Sequence, residues 1–364
     1  MSTINEIAKK LGLSNATVSR ALNNKKGVRP EVREEILRVA KQMDYFPNSV
    51  ARALVQKKAG AIGIMIPRAN EFAFQNPFYS HMLLGLGTVA TRHNYRLTLS
   101  INERKSYVAM FQQRVVDGIV VVANRIDDER IAELAEKKVP SVVVPGFPQD
   151  SKIKIASINS ENVKSVYRAV SYLISLGHHK IAFILGSMNS LYTIERLSGY
   201  KAAFRDHHLQ YDQKYIVESD FTKMEGFRLM GQLLDLPDPP SSIICIGDMV
   251  TLGVLKQINH RGIKIPADIS VVAIGCSDFY ELFEPPLTTI KSPVVQIGQM
   301  AAELVINYLE HGSCRDEQVL IPSEFIIRES TGPYRERPAR TSHTASPKAE
   351  AKNPGSKTNN GEKE

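Results

Sequence analysis

The stretch TINEIAKKLGLSNATVSRALNN, Thr3 to Asn24, decides how the first part of this 364-residue chain folds. Ile4, Ile7, Ala8 and Leu11 recur at helical spacing, with Glu6, Lys9 and Lys10 on the polar side, and Gly12 breaks the pattern. Ser14 stands where an N-cap belongs, and Ala16, Val18, Ala21 and Leu22 supply the apolar side of a second short helix. Two helices parted by a few residues, one of them glycine, make a helix-turn-helix. A third helical pattern starts at Pro30 and carries Val32, Ile36, Leu37, Val39, Ala40 and Met43 inward, with Pro47 expected to end it. Three such helices enclose a miniature core, marginal by itself below roughly 70 residues.

The side chains of the second helix not needed for that core are Asn15, Ala16, Thr17, Ser19, Arg20 and Asn23. Amide, hydroxyl, methyl and guanidinium groups near a helix N-terminus suit the edges of a major groove and its flanking phosphates, although they equally suit a plain solvent-facing surface. Charge helps to separate the two readings. Residues 1–60 hold 12 Lys or Arg against 5 Asp or Glu, whereas residues 61–334 hold 27 against 29. A basic head on a near-neutral body points to a polyanion partner, with a solubilising surface as the bland alternative.

The remaining totals bound the class. At 43% hydrophobic and 23% charged residues the composition is globular, and the length suits two or three domains. Cys245, Cys276 and Cys314 lack metal-ligand spacing, and an odd count gives no disulfide framework, so a reducing compartment fits. With no signal-type apolar run at the N-terminus and no run of the roughly 18 apolar residues a spanning helix needs, the expectation is a cytoplasmic protein without membrane contact.

From Ala61 the texture changes to short β-branched strands alternating with amphipathic helices. Candidate strands are AIGIMIP (61–67), YRLTLSI (95–101), GIVVVA (118–123), SVVVPG (141–146), KIAFILG (180–186), SIICIG (242–247) and SVVAIG (270–275). Helical patterns lie at His81–Arg92, Arg130–Lys137, Ser160–Leu176, Ile194–His208, Lys223–Leu234 and Asp248–Arg261. This alternation reads as βαβ units in two sets, the second starting near residue 162: an α/β body of two doubly wound parallel-sheet lobes behind an all-α head. Such lobes place a ligand in the cleft at the carboxyl ends of their strands. No Gly-x-Gly-x-x-Gly follows a strand, and P-loop, Gly-x-Ser-x-Gly and His-Glu-x-x-His motifs are absent. The paired histidines His178/His179 and His207/His208 do not form a ligand set. We therefore expect no catalytic residue, no metal and no cofactor.

The Thr3–Asn24 stretch, the Pro47-Asn48-x-Val50-Ala51-Arg52-x-Leu54 segment and the Ile62–Pro67 strand together resemble the lac repressor/galactose repressor family of bacterial transcription regulators. The likeness continues through Asn76–Tyr79, Val116–Ile119, Leu176–His178, Glu195–Tyr200, Gly262–Asp268 and Pro286–Ile290, and covers about residues 3–330. It implies a repressor that binds a pseudopalindromic operator in double-stranded DNA as a homodimer, nucleoid-associated when bound. Its organisation would be a head at 1–46, a hinge helix and linker at 47–59, and a periplasmic-binding-protein-like core at 60–333. Lobe 1 would take about 60–160 and 291–321, lobe 2 about 162–289 and 322–333, with crossovers near 159–162, 288–292 and 321.

By matching positions, Asn15 and Ala16 would be the main specificity pair, with Arg20 reaching bases further along. Ser14, Thr17, Ser19 and Asn23 would sit at the phosphates or pack the helix, Thr3 and Arg29 would add backbone contacts, and Asn48, Ala51, Arg52 and Leu54 would belong to a minor-groove hinge. Leu54 of each subunit would wedge between base pairs, since apolar insertion kinks DNA in exchange for wider contact. A two-turn helix is unstable alone, so this segment either orders on DNA or is a plain linker.

In the body the resemblance implies a small-molecule, carbohydrate-related effector in a cleft lined by Tyr79, Tyr192, Arg196 and Phe221, with Arg196 as its anchor. Two positions depart from the family pattern. Gly247 and Gly275 fall where relatives carry the Asn and Asp that bond sugar hydroxyls. That departure implies a different or larger effector, or a regulator that works constitutively or with a protein partner; an α/β enzyme is the remaining alternative. Asp248 is expected to cap a helix starting at Met249. Residues 334–364, without Leu or Val after Tyr334, are expected to be a disordered tail. That tail lacks the leucine heptads of a tetramerising coiled coil, which favours a dimer.

Overall fold

The structure is a computed structural model that describes residues 3–45, 58–101, 106–123, 125–148, 151–312 and 318–336. Asn48, Ala51, Arg52, Leu54, Cys314 and the chain beyond residue 336 lie outside the described residues, so the hinge and tail expectations are carried forward untested.

Three helices form the head: α1 (Ile4–Leu11), α2 (Asn15–Leu22) and α3 (Pro30–Gln42). Thr3 and Glu6 form a reciprocal capping box at the start of α1, and Gly12 ends that helix at φ +65°, a left-handed conformation that glycine adopts without a Cβ penalty. The α2 cap is Ser14, whose Oγ accepts from Thr17 N–H at 3.2 Å. Ile7, Val18 and Ile36, one from each helix, are fully buried against one another's neighbours and fix the packing. Pro47 does not stop α3, which closes at Gln42 because Asp44 turns to φ +49° and Tyr45 N–H returns to Ala40 O.

In the body, lobe 1 contains β1 (Ala61–Ile66), α4 (Asn70–Gln75), α5 (Pro77–Arg92), β2 (Arg96–Ile101), α6 (Tyr107–Gln112), β3 (Gly118–Val122), α7 (Glu129–Glu136), β4 (Ser141–Val144) and β5 (Ala156–Ser160). The chain then builds α8 (Asn162–Ser175), β6 (Ile181–Leu185), α9 (Leu191–Asp206), β7 (Ile216–Glu218), α10 (Lys223–Leu234), β8 (Ser242–Ile246), α11 (Asp248–His260), β9 (Ser270–Gly275) and β10 (Thr288–Lys291) of lobe 2. It returns as α12 (Val294–His311) and β11 (Gln318–Ile321) to lobe 1, and ends with β12 (Glu324–Ile326) in lobe 2. The sheets run β11-β5-β4-β3-β1-β2, all parallel, and β12-β10-β9-β8-β6-β7, parallel except for the antiparallel β10–β12 pair. Crossing between lobes therefore occurs at 160–162, 291–294 and 321–324.

Central strands are buried on both faces, and their Ile and Val side chains each contribute about 1.5–3 kcal/mol on full burial. Asp117 fastens the start of the body: its carboxylate accepts from Ala59 N–H at 2.7 Å and Gly60 N–H at 2.6 Å. Lobe 1 is closed by α12 lying along α5, and the approach is tight enough that a Cβ on Gly85 would collide with Val295 O. Replacing Gly85 with alanine should therefore destabilise the body by roughly 1–3 kcal/mol through overpacking, read as a lower urea midpoint; an unchanged midpoint would mean that α5 and α12 separate freely.

Candidate functional site: an interlobe cleft and a helix-turn-helix face

The carboxyl ends of the strands in both sheets open onto one cavity of about 490 Å³. Tyr79, Tyr192, Arg196, Phe221, Gly247 and Gly275, the six positions expected there, all border it. So do Arg68, Arg125, Asn189 and Asp220, which the sequence reading missed. The signal that could have found them is position, because each lies a few residues beyond the end of β1, β3, β6 or β7, where doubly wound sheets receive ligands.

The cavity joins the lobes as well as separating them. Tyr192, in the first turn of α9, meets Phe78 of α5 edge to face at 6.3 Å between centroids. Asn189 clasps the other rim, accepting from Ile126 N–H at 3.1 Å and donating to Asp127 Oδ1 at 2.8 Å. Burial pushes the Tyr79 hydroxyl up to about 12, opposed by Arg68 beside it. The Arg196 guanidinium is pushed down to about 10 by burial, with Tyr192 and Glu195 opposing, and so stays charged at neutral pH. Its Nε donates to Asn162 Oδ1 at 3.1 Å, and its plane lies over the Tyr192 ring at 5.3 Å.

Both departing glycines have a local cause. Phe221 sits at φ +66°, a conformation that costs a bulky residue on the order of 1–3 kcal/mol, and its ring presses on Gly186 and Gly247. A Cβ at 186 would collide with that ring, and one at 247, where φ is +88°, would lie 3.3 Å from it. At 275 a Cβ would collide with Tyr280 Oη and come within 2.5 Å of Asp248 Oδ1. The space that an Asp side chain would leave from is thus occupied by the protein's own Tyr280.

Asp248 also differs from expectation. It is the first residue of α11 and does not cap it; Gly247 holds the N-cap position with no side-chain bond. The Asp248 carboxylate turns instead toward the segment after β9, accepting from Ser277 N–H at 3.2 Å and lying 3.5 Å from Cys276 Sγ, because the buried turn at 276–277 needs an acceptor.

On the head, Asn15, Ala16, Arg20 and Arg29 are exposed, while Thr17, Ser19 and Asn23 are half-buried. Asn15 Nδ2 donates to Asn5 Oδ1, and Asn23 Nδ2 donates to Ser19 O at 2.8 Å, so Asn23 is partly engaged in closing α2. No group of three potential metal ligands occurs among the described residues, nor any helix long and apolar enough to cross a membrane.

These features define a two-lobed α/β body with an interlobe cleft that carries a helix-turn-helix head. Residues 3–48 match the family described as bacterial regulatory proteins, lacI family, and residues 170–331 match the periplasmic binding protein-like domain. ExuR of Bacillus subtilis is 30% identical over 331 residues, covering 91% of this chain and 98% of that protein. The HTH-type transcriptional repressor CytR of Escherichia coli is 29% identical over 335 residues, covering 91% and 96%. The solved lac repressor dimer bound to operator and the anti-inducer ONPF shares the fold at a TM-score of 0.80, with 24% identity over 91% of this chain and 99% of that one. The chain belongs to the lacI family of bacterial regulatory proteins, and is a DNA-binding transcriptional repressor rather than an enzyme.

Gly275→Ala alone should destabilise by roughly 1–3 kcal/mol, and adding Tyr280→Phe, which removes the colliding hydroxyl, should recover part of the loss as a coupling of about 0.5–3 kcal/mol in urea unfolding. Strict additivity of the two changes would contradict the packing described for Gly275.

Proposed function

We propose that the protein represses transcription as a homodimer on a pseudopalindromic operator, with a head at 1–46, a hinge at 47–59 and a body at 60–333 that senses a small molecule. The observation that carries this reading is the α2 surface: Val18 and Ala21 are buried on one side, and Asn15, Ala16 and Arg20 are exposed on the other. In the dimer each α2 enters a major groove, where Asn15 and Ala16 read base edges and Arg20 reaches further bases. Ser14, Thr17, Ser19 and Asn23, together with Thr3 and Arg29, hold the backbone and the helix position. Asn48, Ala51, Arg52 and Leu54 form the hinge, with Leu54 as the minor-groove wedge. The operator-bound dimer of the lac repressor fold supports this arrangement.

In the proposed dimer the second copy covers large apolar side chains that one chain leaves exposed, among them Phe74, Leu84 and Leu99 of lobe 1 and Met224 and Leu282 of lobe 2. The effector occupies the interlobe cavity against Tyr79, Tyr192, Arg196, Phe221, Gly247 and Gly275. Its binding changes lobe closure, hence the spacing of the two hinges, so effector and operator affinities are coupled reciprocally. The protein works in the cytoplasm, on the nucleoid when bound.

Selection of bound sites from a randomised duplex library tests the head. Substituting Asn15 or Ala16 should change the recovered half-site, at about 1–3 kcal/mol for each altered base contact. Leu54→Ala should weaken operator binding far more than binding to unrelated duplex, measured by fluorescence anisotropy at fixed salt. Unchanged half-sites together with unchanged operator affinity would remove the head from the interface.

A further inference from the structure

The donor and acceptor inventory of the cleft is unbalanced. Three arginines border it, Arg68 and Arg125 from lobe 1 and Arg196 from lobe 2, against two aspartates, Asp220 and Asp248. Asp248 already serves the protein as described, while the exposed Asp220 accepts from Thr222 N–H at 2.9 Å through one oxygen. The bordering carboxamides are engaged as well: Asn76 Oδ1 accepts from Phe78 N–H at 3.0 Å, and Asn189 is committed to the rim. On the donor side, the terminal nitrogens of Arg196 have no acceptor among the described residues, and the buried Tyr192 hydroxyl has no partner. The bordering serines, Ser160, Ser187, Ser190, Ser219 and Ser292, can donate or accept, so the imbalance lies in charge: three guanidiniums against the carboxylates of Asp220 and Asp248.

Backbone dipoles add to the same sign. Helices α9 and α12 both begin at the cavity, where Ser190, Ser292 and Val294 border it. Neither helix has a side-chain cap or an acidic residue in its first turn; Thr193 and Ile194 N–H turn back to Ser190 O and Val294 N–H to Ser292 O, and the positive end of each macrodipole lies at the cavity.

We propose that the effector is an anion: a small carboxylate- or phosphate-bearing molecule with a ring, its charged group held by Arg196, Tyr192 and the start of α9, and opposed across the cleft by Arg68 and Arg125. The ring lies among Phe78, Tyr192 and Phe221, which give it flat apolar walls. A planar guanidinium pairs bidentately with a carboxylate or phosphate and binds it more strongly than a hydroxyl. The glycines at 247 and 275 agree with this assignment, since they leave the wall without two side-chain acceptors. The proposal rests on the reading of the cleft as an effector site.

Calorimetric titration of the full chain with matched probes tests it: galacturonate with galactose, glucuronate with glucose, glucose 6-phosphate with glucose, and ribose 5-phosphate with ribose. The charged member of at least one pair should bind roughly tenfold or more tighter than its neutral parent, and the carboxylate and phosphate arms show which anion is taken. Arg196→Gln should abolish that preference while the folded fraction and thermal midpoint are monitored; should it fail to fold, Arg125→Gln, on an exposed side chain, should reduce the same preference. Equal or tighter binding of the neutral parent in every responding pair overturns the anionic assignment and leaves the effector site standing. Silence across all pairs, with operator affinity equally unmoved, overturns both.

Discussion

The half-buried carboxylate of Glu195 holds the two lobes in register. It accepts from Asn159 Nδ2 at 2.7 Å and from Asn162 Nδ2 at 2.8 Å. Asn159 belongs to β5 of lobe 1, Asn162 opens α8 of lobe 2, and Glu195 lies on α9, so one oxygen gathers three elements around the first crossover. Burial raises the Glu195 pKa, and the two amides, with Arg196, oppose that rise. The same Asn162 presents its oxygen to Arg196 Nε and to Ser160 Oγ at 3.0 Å. Movement of one lobe against the other therefore reaches the guanidinium in the cleft through a single side chain, and a satisfied polar network of this kind specifies its geometry closely.

The cleft is built by substitution of internal contacts for ligand contacts. Tyr280 fills the volume beside Gly275, the Phe221 ring fills the volume beside Gly186 and Gly247, and Asp248 is drawn into supporting a turn. In each case a side chain of the protein occupies the space beside a glycine or steadies a neighbouring turn. The positive φ at Phe221 is the local strain that accompanies the rearrangement, and strain of this sort collects at ligand clamps. What remains on the wall includes three arginines and four aromatic rings among smaller polar side chains.

The head was legible because its three helices each bury one narrow stripe, so Ile7, Val18 and Ile36 appear at helical spacing in the sequence. The seven β-branched strands were legible for a similar reason. Other elements left no such trace. In α12 the buried Val294, Ile297, Gly298, Ala301, Ala302 and Val305 do keep helical spacing, but half of that stripe is Gly or Ala, which gives little hydrophobic contrast in the sequence. Strands β5 and β10 were not among the candidate strands because Ser157, Asn159, Ser160, Thr288 and Thr289 are polar, yet all are buried, several of them hydrogen-bonded at the crossovers. Of the cleft, the aromatic residues and Arg196 came through the family resemblance. Arg68 and Arg125 did not, because a lone arginine after a strand looks like any surface cation until the sheet places it. The role of Tyr280 was invisible for another reason: it fills a space defined by a glycine five residues away.

The close packing of α12 on α5 has a consequence for how the chain is made. Lobe 1 is begun first, yet it lacks a covering helix and the edge strand β11 until residues 294–321 have emerged, after nearly all of lobe 2. During synthesis the β1–β5 sheet waits with one apolar face only partly covered, by α5, while more than a hundred further residues are added, whereas lobe 2 has most of its strands contiguous in sequence. Long sequence separation slows such closure, and an uncovered sheet is the species most prone to associate wrongly. The interwoven connections thus leave the lobe that emerges first from the ribosome incomplete until almost the end of the chain has been made.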